Sequence, residues 1–325
     1  MKYYREDAFC NKLRFSLNCP KFSFDDRSLI THSILGRNLE KITSAPQISS
    51  HPLESVRFIR RESDRKFGCL ISKPSFALVV NGSKKALVGD EEFLYGNGVC
   101  LLTGSFMPDS FEAVGASKTN PFLAISLTIE PKLCDQAIAF LSDKEALKSG
   151  AEDSKMFSLF EADDGLLDAF LRLSELALHP EHAELFSDIV KREIYLRVLT
   201  SPLGRAFSQL YVSGTAENKI RRAVDWLSAH FSQPIDHSSV AEKVGMSTAS
   251  YYRRFREIVG STPSQFVRNL RLTEAKRLMI DEQFEAAQAC YRVGYDSPTY
   301  FSREFRNLFG ESPSKHVKRI AAEMQ

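Results

Sequence analysis

No histidine stands between Pro52 and Leu178. A metal-dependent oxygenase site built from two histidines and a carboxylate therefore has no place in that stretch. The same region lacks a Gly-Lys phosphate loop and a G-x-S-x-G nucleophile elbow, so neither nucleotide hydrolysis nor acyl transfer of those kinds is offered. No run approaches the length of apolar chain that spans a membrane, and the opening MKYYREDAFCNKLRF scatters charge where an export signal needs an apolar core. A cytoplasmic protein with no membrane partner is the expectation. Six cysteines (Cys10, Cys19, Cys69, Cys100, Cys134, Cys290) are irregularly spaced with no C-x-x-C pair, and read as free thiols.

What is present is ordinary in bulk and uneven in distribution. Hydrophobic residues at 43% and charged residues at 26% are globular values, which exclude a disordered chain. The 325 residues suffice for two domains, each with its own core. Residues 214–325 hold 17 Lys and Arg against 13 Asp and Glu, leaving 26 against 28 for the rest. The positive surplus lies at the C-terminal end, where it permits phosphate neutralisation without establishing it.

Residues 1–50 show no sustained period and read as an unassigned peripheral arm with short elements. From 51 to about 130, short apolar runs punctuated by Gly, Asn, Asp and Pro predict β structure. SFALVV and SKKALVG flank Asn81-Gly82, which predicts a hairpin closed by a type I′ turn. Gly98–Leu102 and Phe122–Leu127 add strands of a small sheet or barrel. From Pro131 to Pro202 the period becomes helical, through Leu167, Phe170, Leu171 and Leu178, then Ile189, Ile194, Tyr195 and Val198. These helices either cover the barrel or pair two subunits. The boundary falls at Ser213-Gly214-Thr215.

The last segment repeats itself. Val244-Gly245 recurs as Val293-Gly294, and Ser247, Arg253, Phe255, Arg256, Gly260 and Pro263 recur as Ser297, Arg303, Phe305, Arg306, Gly310 and Pro313. Each copy reads as helix, Gly turn, helix, giving helix-turn-helix units near 236–259 and 285–309. On the second helix of the first copy, 247–259, Tyr251, Phe255 and Ile258 share an inward face, and Ala249, Tyr252, Arg253 and Arg256 the outward one. On its counterpart, 297–309, Phe301, Phe305 and Leu308 turn inward, while Thr299, Ser302, Arg303 and Arg306 turn outward behind Pro298. Arg can read guanine through O6 and N7, and Ser, Thr and Tyr can bond bases or phosphates, so both faces suit the major groove of double-stranded DNA. A Thr262–Met279 helix would set the spacing between the two.

VGMSTASYYRRFREIVGSTPSQFVRNLRLTEAKRLM and VGYDSPTYFSREFRNLFGESPSKHV resemble the AraC/XylS family of bacterial regulators. The resemblance implies a DNA-binding domain over 214–325 whose base-facing positions are Ala249, Tyr252, Arg253, Pro298, Thr299, Ser302 and Arg303. RNA polymerase is the implied protein partner, and activation the implied outcome. Ala289-Cys290 stands where the family usually has Ile-Ala, which implies different packing beneath the second reader. PSFALVVNGSK and REIYLRVLTSPLGRAF are similar to the sensor half of one subgroup, which implies a cupin-like barrel with helices over 51–213. The fold class is thus α+β in two domains: a small barrel with helices, then an all-α domain.

Several features carry more than one reading. Exposed arginines are usually solvated, but Arg253, Arg256, Arg303 and Arg306 recur in register on matching faces, which favours DNA. His179 and His182 could share a metal with Glu181 or Glu184, yet no third ligand is evident and no metal or other cofactor is expected. No catalytic group is assigned. A barrel without catalytic groups suits a small organic effector, with Phe76, Leu78 and Val80 expected to line its cavity. A partner protein, or a second copy of the chain, is the other occupant of that domain that the sequence allows.

Overall fold

A computed structural model describes residues 26–44, 53, 55–64, 66–88, 91–143 and 155–323. It begins with helix α1 (Asp26–Ser44), inside the segment expected to be an arm of short elements. Leu35, Leu39 and Ile42 recur at helical spacing and are buried, so one stripe of α1 is anchored to the body of the protein. Thr31 Oγ1 donates to Asp168 at 3.1 Å and Asn38 Nδ2 to Ser174 at 3.0 Å, tying α1 to a later helix. Positions 1–25 and 45–50 of the expected arm lie outside the described residues.

Eight strands follow: β1 (Val56–Arg61), β2 (Lys66–Ser72), β3 (Ser75–Asn81), β4 (Ser83–Val88), β5 (Glu91–Gly96), β6 (Val99–Thr103), β7 (Met107–Val114) and β8 (Phe122–Thr128). Helix α2 (Pro131–Ser142) intervenes before β9 (Phe157–Glu161). The strands form two antiparallel sheets, ordered β1-β8-β3-β6-β9 and β2-β7-β4-β5. Ring centroids of Phe93 and Phe157, one from each sheet, lie 4.9 Å apart across the interior.

The strands expected on either side of Asn81-Gly82 form, but they do not pair with each other. β3 belongs to the first sheet and β4 to the second, and the chain turns a corner between the two layers. Only Gly82 has positive φ, at 86°, whereas a type I′ turn needs it at both central residues. A Cβ on Gly82 would stand 3.3 Å from Phe122 Cα, so glycine admits the close approach of β8 at this corner. The β4 strand pairs instead with β5 and β7.

Helices α3 (Asp164–Leu178), α4 (Pro180–Thr200) and α5 (Gly204–Tyr211) pack with α1 and α2 as a layer against the first sheet. The chain turns at Gly214, φ 89°, into α6 (Ala216–His230), capped by Thr215. Then come α7 (His237–Lys243), α8 (Thr248–Val259), α9 (Pro263–Asp281), α10 (Ala286–Arg292), α11 (Pro298–Phe309) and α12 (Pro313–Glu323). Two cores result. One runs from α1 through the sheets to α6–α8 and the start of α9, and the other lies among the end of α9, α10 and α11. Among the described residues, no helix is long and apolar enough to cross a membrane.

Candidate nucleic-acid interface

The two repeat copies fold into the same local device. In each, a glycine of positive φ (Gly245 at 68°, Gly294 at 88°) closes the first helix, and a serine opens the second. Ser247 Oγ accepts the N–H of Ser250, and Ser297 Oγ that of Tyr300, both at 3.3 Å, the usual way a serine satisfies a free amide at a helix start. Left-handed Gly260 and Gly310, each with φ 81°, end α8 and α11, as glycine does where a helix must reverse its backbone twist. Pro298 occupies the first turn of α11, where a missing N–H costs nothing.

Burial then separates two faces on each helix. Tyr251, Phe255 and Ile258 are buried on α8, and Phe301 and Phe305 on α11, with Leu308 half-buried. Ala249, Tyr252, Arg253 and Arg256 stand exposed on α8. Pro298, Thr299, Arg303 and Arg306 stand exposed on α11, with Ser302 half-buried. Glu257 holds Arg253 at 3.1 Å and Arg254 at 3.0 Å, presenting the first guanidinium at the surface in an exchangeable pair. Arg303 lies 5.0 Å above the Tyr300 ring, which orients it without neutralising it.

One helix holds the two faces in place. The α9 helix starts with a capping box between Thr262 and Gln265 and spans 19 residues. That makes it about 28 Å long, at a rise of roughly 1.5 Å per residue. Its Arg268 bonds Glu304 of α11 at 3.2 Å, and its Arg271 donates to the carbonyls of Phe231 and Gln233 at 2.6 and 2.8 Å. Ala289 and Cys290 are fully buried under α11, and the Cys290 thiol approaches the Tyr295 carbonyl at 3.8 Å. Burial pushes the Cys100 and Cys134 thiols far up, leaving them inert.

Sequence reasoning passed over two basic residues at the ends of the helices that precede these faces. Lys243 and Arg292 close α7 and α10 in the same register as the repeat, and both are exposed. Their matching place in the two copies was the available signal, but attention to the second helix of each unit hides the end of the first.

The glycine turns differ in one testable respect. A Cβ on Gly294 would lie 2.2 Å from the Ser232 carbonyl oxygen, whereas on Gly245 the nearest atom is Lys219 Nζ at 3.8 Å, an ordinary contact distance. Gly245→Ala is expected to cost about 1 kcal/mol through backbone strain alone. Gly294→Ala adds a backbone clash and is expected to cost about 3 kcal/mol. Urea melts of the two variants check the order.

The expected effector-lining residues lie elsewhere than the barrel interior. Register puts Phe76 beside Leu127 and Leu102, and Leu78 beside Ile125 and Cys100, on one fully buried face. Phe76 meets Tyr195 of α4 and Phe207 of α5 edge-on at 5.2 and 5.3 Å, so Phe76, Leu78 and Val80 pack outward against the helices. The interior face carries Ala77, Val79 and Ser126 opposite Ala86, Phe93 and Tyr95. Lys84 Nζ sits 4.2 Å from the Phe111 ring centre on that face. His179 and His182 stack at 6.1 Å, and no group of three metal-ligating side chains forms among the described residues.

The family model for the AraC-type transcriptional regulator N-terminus matches residues 52–206, and one for a helix-turn-helix domain matches 240–319. The HTH-type transcriptional activator RhaS of Salmonella paratyphi A is 25% identical over 177 residues, 54% of this chain and 63% of that protein. RhaS of Salmonella arizonae is 26% identical over 180 residues, 55% of this chain and 64% of its own length. The match thus spans less than two thirds of these relatives. Among solved structures, ToxT from Vibrio cholerae with a bound unsaturated fatty acid superposes with a TM-score of 0.53 at 13% identity, covering 81% of this chain and 94% of that one. A further ToxT structure gives 0.54 at 12% identity over 81% and 97%. At such identity the likeness is one of fold.

Proposed function

The chain belongs to the AraC-type transcriptional regulators, and from that membership we propose that it binds double-stranded DNA, α8 and α11 entering two successive major-groove segments, and activates transcription with RNA polymerase. The observation that carries this reading is the pair of like-built 12-residue helices with exposed arginine faces, fixed to one 19-residue helix. Successive major-groove segments on one DNA face are about 34 Å apart, a distance compatible with the length of α9. Arg253 and Arg303 are the base readers, and Arg256, Arg306, Lys243 and Arg292 neutralise phosphates. Two readers in one chain make the site asymmetric. Activation is the outcome named for the RhaS relatives.

Fluorescence anisotropy of the full chain on its promoter DNA tests the reading. If about six to ten phosphates are contacted, affinity should fall about 10³- to 10⁵-fold between roughly 50 and 200 mM salt. Affinity that is absent, or indifferent to salt, contradicts it.

The barrel interior is the proposed effector site. Its walls are mostly apolar, with Ala77, Val79, Ala86 and Phe93 beside the hydroxyl of Ser126, Lys84 brings a positive charge against aromatic rings, and the ToxT relative in fold holds a fatty acid. A change there can reach the first reader, because the Met156 N–H, beside β9, donates to the Ile258 carbonyl of α8 at 2.8 Å. Ser105, also in the barrel domain, bonds Asp225 of α6. Saturating the protein with an unsaturated fatty acid should raise its melting temperature, by the equivalent of about 2.7 kcal/mol at a hundredfold excess over Kd. Lys84→Ala should shrink that rise. An unchanged melt removes the fatty-acid assignment and leaves the DNA reading intact.

A further inference from the structure

The two helix-turn-helix units meet at a second place besides α9. The loop 231–233, between α6 and α7, belongs to the first unit, yet half-buried Phe231 packs against both cores. The Gly294 turn of the second unit lies so close that a Cβ there would stand 2.2 Å from the Ser232 carbonyl oxygen. Arg271, in the middle of α9, reaches both sides. Its Nε donates to the Phe231 carbonyl at 2.6 Å and its Nη2 to the Gln233 carbonyl at 2.8 Å. The same guanidinium lies 5.8 Å from the ring centre of Tyr295, the residue after Gly294.

Phe231 is the C-cap of α6, and the last carbonyls of a helix have no partner within it. A guanidinium supplies that end with two charge-assisted bonds in a fixed fork and complements the negative end of the helix dipole. Lysine would bring the charge without the fork. The loop is thus locked to α9 on one side and abuts the second unit's turn on the other. A lone connecting helix constrains less, because long helices curve and a unit attached only at one end can roll. One base pair advances DNA by about 3.4 Å and turns it by roughly 35°, so only a joint stiffer than that tells one half-site spacing from the next. Resting on the reading that α8 and α11 enter successive major-groove segments, we propose that the 231–233 loop and Arg271 form the gauge that sets which spacing the protein accepts. Arg271 is a positioning residue, acting through the second unit.

Fluorescence anisotropy of the full chain on its selected site, and on that site with one base pair inserted or removed between the halves, is the test. Wild type should lose about tenfold or more in affinity on either altered spacing, as for a misread base pair. In Arg271→Met the ratio should shrink to about threefold or less, because a looser joint spends less of its time in the geometry that fits the best spacing. Arg271→Lys should fall between the two, and it carries the test should Arg271→Met fail to fold. Loss by the same factor on all three spacings, as a merely destabilised domain gives, overturns the gauge and leaves the DNA reading intact. Wild-type indifference to spacing overturns it as well. A wild type that binds no DNA at all removes the reading beneath it, and the gauge with it.

Discussion

Phe255→Ala is expected to cost about 3–5 kcal/mol, enough to unfold a large fraction of an ordinarily stable domain. Phe255 is fully buried, with the rings of Tyr251 and Phe266 each 5.6 Å away, and it belongs to the core that continues into the barrel domain. Truncation leaves a cavity between α8 and α9 that neither helix can close while the other neighbours hold it. Phe305→Ala removes the equivalent ring from α11, but its core is confined to the end of α9, α10 and α11. The two variants should therefore melt differently. Loss of Phe255 lowers the single transition of the main body, whereas loss of Phe305 adds an early transition in which the second reader opens alone. Hydrogen exchange in α11 distinguishes them, being accelerated far more by Phe305→Ala. Equal and global destabilisation by both would show that the two readers share one cooperative unit.

On a fixed cognate site, Arg253→Ala and Arg303→Ala should each weaken binding by about 1–3 kcal/mol, roughly five- to 150-fold. Both side chains project from exposed faces, so neither change should alter the melt by more than about 0.5 kcal/mol. The mechanisms differ. Arg253 must first leave Glu257, so Glu257→Gln is expected to tighten non-specific binding while leaving discrimination largely intact. Arg303 leaves no carboxylate behind, and Tyr300→Leu should lower its contribution by loosening its orientation. The two losses should add in the double variant, because the arginines stand on separate helices without a shared partner.

The C-terminal half was legible almost to the residue. Helices expected over 247–259 and 297–309 run Thr248–Val259 and Pro298–Phe309, and the expected Thr262–Met279 helix runs Pro263–Asp281. Serine caps, left-handed glycines and Pro at the first turn are local signals, and the repeat states each twice. The strands at Val99–Thr103 and Phe122–Thr128 were equally visible. Their partners were not, since sheet membership depends on distant residues, and the Asn81-Gly82 signature cannot distinguish a hairpin from a corner between sheets.

Phe76, Leu78 and Val80 show a related limit. Alternation correctly groups them on one face of β3, but Ala77 and Val79 on the other face are apolar too and Val79 is as buried, so the middle of the strand does not show which side looks inward. In α1 the apolar spacing of Leu35, Leu39 and Ile42 was present but short, and polar neighbours diluted it. The candidate readers could be named from sequence because both helices are amphipathic and their outer faces are unlike their inner ones. The barrel interior could not, because both sides of its sheet are covered.

Selection of bound sequences from random double-stranded DNA, with wild type, Arg253→Ala and Arg303→Ala side by side, tests the two-reader account most directly. The account predicts a site of about two helical turns whose halves are unlike and lie about 10 base pairs apart, with Arg253→Ala blurring one half and Arg303→Ala the other. A single short motif, or both variants blurring the same base pairs, would contradict it.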